Sequence, residues 1–174
     1  MHPGTGETLT EVFDDDLIEA QEALGMQVLG QFRDLDDPDT FVWLRGFPDV
    51  GGRGAALEGF CDGPVWAEHA PVANATTVSF DDVLLLRPVD SLRPGAGVGQ
   101  YAIVIHPAAG APELPADALA VWQTNRSPNE FPRLPVRQDV DVVVWLAPLT
   151  GDEAERWLGA EVLRLEPTAR SRLS

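Results

Sequence analysis

Lysine is missing altogether, so the 12 basic residues are all arginines. Without lysine there is no Schiff-base nucleophile, no anchor for covalently held pyridoxal phosphate and no P-loop cation. Cysteine occurs once, as Cys61, which excludes an internal disulfide and a cysteine metal cage. The three histidines, His2, His69 and His106, fall in no HxxH or HxxxH spacing, so no zinc site is prefigured. No Gly-x-Ser-x-Gly elbow is present. No apolar run reaches membrane-spanning length, and residues 1–30 lack a basic segment leading into an apolar one. The expected location is cytoplasmic, where the sequons Asn74-Ala75-Thr76 and Asn125-Arg126-Ser127 mean nothing for glycosylation. Positive charge is scarce as well. Against 28 acidic residues it leaves a net charge of −16, which argues against nucleic-acid and membrane partners.

What is present is 44% hydrophobic residues in a chain of 174, enough for a sizeable core in one domain or two small ones packed together. Leu9, Val12, Phe13, Leu17, Ala20 and Leu24 recur at spacings of three and four. They predict an amphipathic helix over 7–24, closed by Gly25, with the acidic run Asp14–Asp16 on its solvated face. Alternation over 26–33, turn chemistry in DLDDPD (34–39) and the run FVWLRGF (41–47) predict a hairpin. DLDDPD lacks the central glycine of a calcium loop, and Arg45 stands where the closing glutamate belongs. A helix is expected over 50–61, a partly helical segment broken by Pro64 and Pro71 over 63–76, and a strand over 82–88. The second part of the chain predicts strands over 101–106, 118–125, 140–148 and 161–167, with a short helix over 151–158.

Between them lies SLRPGAGVG (91–99), the one clear shift in composition. Its GAGVG lacks the following helix and the acidic residue of a dinucleotide fingerprint, so it reads as a linker joining units 1–90 and 100–174. VLLLRP (83–88) is echoed by VLRLEP (162–167), and the VWL of 42–44 by that of 144–146. The order strand, strand, helix, strand recurs, which is the mark of an internal duplication of ferredoxin-like halves.

Four segments carry a resemblance to a known family: EALG (22–25); QFRDLDDPDTFVWLRGFPD (31–49); GPVW (63–66) with NAT (74–76) and DVLLLRP; and FPRLPVR (131–137) with LEPTARS (165–171). In these the chain resembles the NIPSNAP family. The resemblance implies an α+β fold of two tandem ferredoxin-like halves forming one pseudo-dimeric α/β barrel. It implies no single reaction. The superfamily mixes cofactor-free monooxygenases, haem-handling proteins, isomerases and dehydratases with members of no known activity. Two departures accompany it. The family has a strand before HPG, whereas here His2-Pro3-Gly4 follows Met1, so the first half is expected to lack its first strand. HPAAGAPELPAD (106–117) is too short and proline-rich for a helix, so the second half is expected to lack its first one.

Period-two alternation sends Phe41, Trp43, Arg45 and Phe47 to one sheet face and Val42 and Leu44 to the other. The aliphatic pair suits helix packing, which points the Trp43 face, with Gln27, Gln31 and Arg33 of the neighbouring strand, into the barrel. There Trp43 and Trp145 would wall a pocket and Arg45 would clamp a carboxylate or phenolate. The alternative is that both tryptophans merely fill the barrel and Arg45 pairs with a buried acid. The second copy of the strand carries Ala147 in place of Arg45, so only one side is armed. His106 and Tyr101 are the candidate acid–base residues, His106 also a possible axial haem ligand; His69 and His106 equally suit bystander roles. FPRLPVR reads as a rim loop packed through Phe131 and Leu134, or as one offering Arg133 or Arg137 to a cavity mouth. Two functions stay open: a protein binding an apolar or aromatic small molecule, needing no cofactor, or a cofactor-independent monooxygenase or isomerase acting on an aromatic or polyketide-like substrate. An unpaired sheet edge would favour a homodimer.

Overall fold

A computed structural model describes residues 1–90, 92, 99–151 and 153–174. The expected linker over 91–99 therefore lies, apart from Leu92, Gly99 and the ends it joins, outside the described residues. The chain is mixed α+β. It opens with α1 (Gly6–Val12), a π-helical turn (Phe13–Leu17) and α2 (Ile18–Glu22), then β1 (Gln27–Asp34) and β2 (Phe41–Gly46). Next come α3 (Val50–Cys61), α4 (Pro64–Thr76) and β3 (Leu86–Asp90). The remainder is β4 (Tyr101–Pro107), β5 (Ala120–Thr124), β6 (Val142–Pro148), α5 (Glu153–Arg156) and β7 (Glu161–Pro167).

The seven strands form one antiparallel sheet in the order β2-β1-β7-β4-β6-β5-β3. One face carries Phe32, Tyr101, Ile103, Val144, Leu146 and Leu165, joined by Val42 and Leu44 from one edge and Leu86 from the other. Side chains from both edges meet the same cluster because the sheet curls around it as a half-barrel. On the opposite face, Phe13, Leu17, Leu57 and Phe60 of the helices cover the β1–β2 end. Trp157, just after α5, covers Val104, Trp145 and Ala147 towards the other end. Among the described residues no helix is long and apolar enough to cross a membrane.

Several local expectations shift for identifiable reasons. The first helix is not regular: its π-helical turn places Phe13, Asp14, Leu17 and Ile18 all inward. Asp14 is thus buried, not solvated, and its carboxylate accepts from Gln31 Nε2 (3.2 Å), Thr168 Oγ1 (2.9 Å) and the Arg170 amide (3.3 Å). Gly25, at φ +82°, closes the helical stretch. Pro64 sits in the first turn of α4, where its missing N–H costs nothing, and the helix runs on through Pro71. The run 82–88 becomes a sheet ladder only from Leu86, although the Val83 and Leu85 carbonyls already accept from the Arg137 and Asn125 amides at 2.8 Å. The helix expected over 151–158 shortens to Glu153–Arg156.

The face assignment of β2 is reversed. Trp43 packs on Phe13 of the helical layer, with ring centroids 5.8 Å apart, and Phe41 does so at 5.0 Å. Val42 and Leu44 face the curled interior instead. The alternation was sound, but periodicity fixes which residues share a face and leaves open which layer that face meets.

Candidate functional site

The half-barrel interior is filled. Phe32, Leu146 and Leu165 are fully buried there, and the Tyr101 hydroxyl donates to the Leu173 carbonyl at 2.7 Å, so the phenol is held inside the fold. His106 is buried on the helix-covered face, its ring stacked against Trp145 at 6.4 Å and Nδ1 lying 2.7 Å from the Pro107 carbonyl oxygen. Trp145 is completely buried and meets Trp157 edge-on at 5.0 Å. Gln31 is bound to Asp14, while Arg33 pairs with Glu7 at the surface. His69 lies 3.4 Å from Asp16. The residues expected to line one cavity therefore divide between the two ends of the helix-covered face: Trp43, Arg45, Gln31 and Arg33 at the β1–β2 end, Trp145 and His106 towards the other.

Arg45 is the exception to an otherwise structural set. It leaves β2 towards the helices, and its Nη1 donates to Gln21 Oε1 of α2 at 2.9 Å. Its guanidinium carbon lies 5.6 Å from the centroid of the Phe47 ring. Arg53 of α3 approaches the same ring at 5.9 Å. Local chemistry places both. The DLDDPD turn folds on its own carboxylates: Asp34 Oδ1 accepts from the amides of Asp36 and Asp37, and Asp37 Oδ2 from Thr40 Oγ1, which sets the start of β2. Asp49 caps α3 by accepting from the Gly52 amide at 2.7 Å, which fixes the turn carrying Arg53. Asn129 holds Arg53 through Oδ1 at 2.9 Å while its amide nitrogen donates to the Leu134 carbonyl, so the FPRLPVR loop is tied to the same point.

The electrostatics are unusual for so acidic a chain. Arg33, Arg126, Arg133, Arg137, Arg156, Arg164, Arg170 and Arg172 each lie within ion-pair distance of a carboxylate. Among the described residues Arg45, Arg53 and Arg87 do not, and Arg87 is answered by the side-chain oxygen of Gln123. Arg45 and Arg53 thus share a ring and have only neutral amide oxygens as hydrogen-bond acceptors. Burial, aided by the charge of Arg53, pushes the Arg45 guanidinium down to about 10. Burial lowers Arg53 too, against the attraction of Glu130. Cys61, close by, is raised by burial despite Arg133 and Arg45, so its thiol is not activated. No protein-family model, curated protein or solved structure matches the chain. The site is consequently read from its own chemistry.

An open groove of about 560 Å³ runs alongside, between α3 and the loop, with Gly54, Glu58, Phe131 and Arg133 in its walls. Phe131 is buried and Arg133 is paired with Asp62. Arg53 and Asn129 escaped attention in the sequence. The only signal for Arg53 was an arginine set among glycine and alanine in α3, with no acidic residue in the first turn to pair with it. Among the described residues no cluster of histidine, cysteine and carboxylates suits a metal ion.

Proposed function

We propose that this chain is a NIPSNAP-like, single-chain α/β barrel of two tandem ferredoxin-like halves, 1–90 and 100–174, that binds a small organic anion with an aromatic or apolar body. The strand order supports the architecture: β7-β4-β6-β5 is the 4-1-3-2 order of a ferredoxin-like half, and the first half adds β1 beside β7 and β3 beside β5. The helix-covered end of β2 is favoured over the filled interior as the binding place. The observation that carries this reading is the pair Arg45 and Arg53, which flank Phe47 with no carboxylate of the described chain bound to either. A ligand carboxylate would supply the missing negative charge, while Phe47, and Trp43 two places along the strand face, would meet its apolar body.

The alternative, a cofactor-independent monooxygenase or isomerase, needs an acid or base facing the ligand. Tyr101 and His106 are turned into the fold, away from the arginines, so binding is the better supported of the two. Calorimetric titration of phenylacetate, its methyl ester and acetate tests the proposal. Phenylacetate should bind and the ester should not. Equal binding of acid and ester, or no binding of the acid at millimolar concentration, overturns it.

A further inference from the structure

We infer, on the reading that the arginine pair binds an organic anion, that Gln21 and Asn129 set the specificity of that site: their amides orient Arg45 and Arg53 without neutralising them, so an occupant must carry its own negative charge. Each amide is fixed from both ends. Gln21 Nε2 donates to the Leu17 carbonyl at 3.0 Å, which turns Oε1 towards Arg45 Nη1 at 2.9 Å. Asn129 Nδ2 donates to the Leu134 carbonyl at 2.9 Å, while Oδ1 accepts from Arg53 Nη1 at 2.9 Å and from the Phe131 amide at 3.1 Å. Turning either amide over would set its NH2 against a guanidinium and its oxygen against a carbonyl. Gln21 and Arg53 are both buried, so water does not offer either group a second partner.

The neighbouring residues show what the fold does with its other arginines. On the same turn of α2 as Gln21, Glu19 pairs with Arg170 and Glu22 with Arg172. At the end of α3, Asp62 pairs with Arg133. Glu130 follows Asn129 directly and attracts Arg53, yet the hydrogen bond to Arg53 comes from the Asn129 amide. Carboxylates thus meet arginines close to both anchors, and amides stand where Arg45 and Arg53 point. A carboxylate at either place would accept a stronger bond and cancel the charge of the guanidinium it held. An amide supplies a dipole and leaves that charge in place. Selectivity follows from the charge: an acid is drawn by two guanidiniums, whereas its ester meets only their donors. If Gln21 served only to satisfy the Leu17 carbonyl, its charge would not matter, and removing both its bonds would do at least as much harm as converting it to an acid.

The test is a calorimetric titration of the full chain with phenylacetate, comparing the parent with Gln21→Glu, Asn129→Asp and Gln21→Met, each first shown to be folded by urea unfolding. The parent should bind, and each acid variant should bind about tenfold or more weakly. Gln21→Met loses both bonds of Gln21 but adds no charge, so it should keep more affinity than Gln21→Glu. Without ligand, the Arg45 guanidinium, which titrates at about 10 in the parent, should titrate higher in Gln21→Glu when followed by nitrogen NMR. Asn129→Asp, on the partly exposed loop, carries the comparison if Gln21→Glu does not fold. An acid variant that binds as tightly as the parent, a Gln21→Met weaker than Gln21→Glu, or an unmoved Arg45 titration overturns the role of the amides and leaves the anion site standing. A parent that does not bind phenylacetate overturns both.

Discussion

Replacing Arg45 with methionine keeps the length of the side chain and removes its charge and donors. In the native protein the guanidinium is held down to about 10 by burial and by Arg53. Relative to the unfolded chain, a depression of that size corresponds to a penalty of about 3 kcal/mol for carrying the charge. For a base the sign is unfavourable: the penalty is fully present below pH 10 and is relieved only as pH rises through that value. Arg45→Met removes this penalty at neutral pH. Against the gain stands the bond to Gln21, whose loss strands a buried amide oxygen at a cost of about 1.5–3 kcal/mol. The stacking on Phe47 adds about 0.5–1 kcal/mol to the loss. The terms nearly cancel, so urea unfolding at pH 7 should place the variant within about 1 kcal/mol of the parent. Phenylacetate affinity, in contrast, should fall by about 1.5–3 kcal/mol, roughly tenfold or more. A loss of several kcal/mol in stability with affinity unchanged would refute the argument, since that is the signature of a broken buried ion pair.

Other perturbations separate the remaining roles. Trp145→Ala should cost about 3–5 kcal/mol in denaturant melts and Trp43→Ala clearly less, because Trp145 is wholly buried and Trp43 only half so; the reverse order would restore Trp43 to the interior. Burial pushes the Glu153 carboxyl up, but bonds from the Thr150 and Gly151 amides and the Thr150 hydroxyl outweigh it and hold it at about 2. Its stabilisation is present above the ordinary glutamate range and lost as pH falls towards 2, so Glu153→Gln should flatten the acid limb of a stability–pH curve and leave a parent-like slope only if the loop is not capped this way. Asp14→Ala unties the π-helical turn from β1 and the C-terminal segment, leaving Gln31 and Thr168 short of an acceptor, and should cost about 3 kcal/mol by urea titration.

Much of the architecture was legible from local chemistry. The hairpin of β1 and β2 followed from strand alternation around an aspartate-rich turn whose carboxylates bond their own backbone. α3 and β7 were legible over their whole lengths. These features depend on neighbours a few residues apart, which a sequence displays directly. Tertiary structure decided what lies across the chain. Alternation grouped Trp43, Arg45 and Phe47, but only the packing of Phe13 against that face turned it to the helices and not to the interior. The burial of Asp14 depended on a widened helical turn and on Thr168 and Arg170 arriving from the other end of the chain. The meeting of Arg45 with Arg53, with no carboxylate within ion-pair distance of either among the described residues, required β2, α2, α3 and the 129–134 loop to converge. A pairing pattern is a sum over distant contacts, and no periodicity within a segment encodes which distant charge will come to rest next to it.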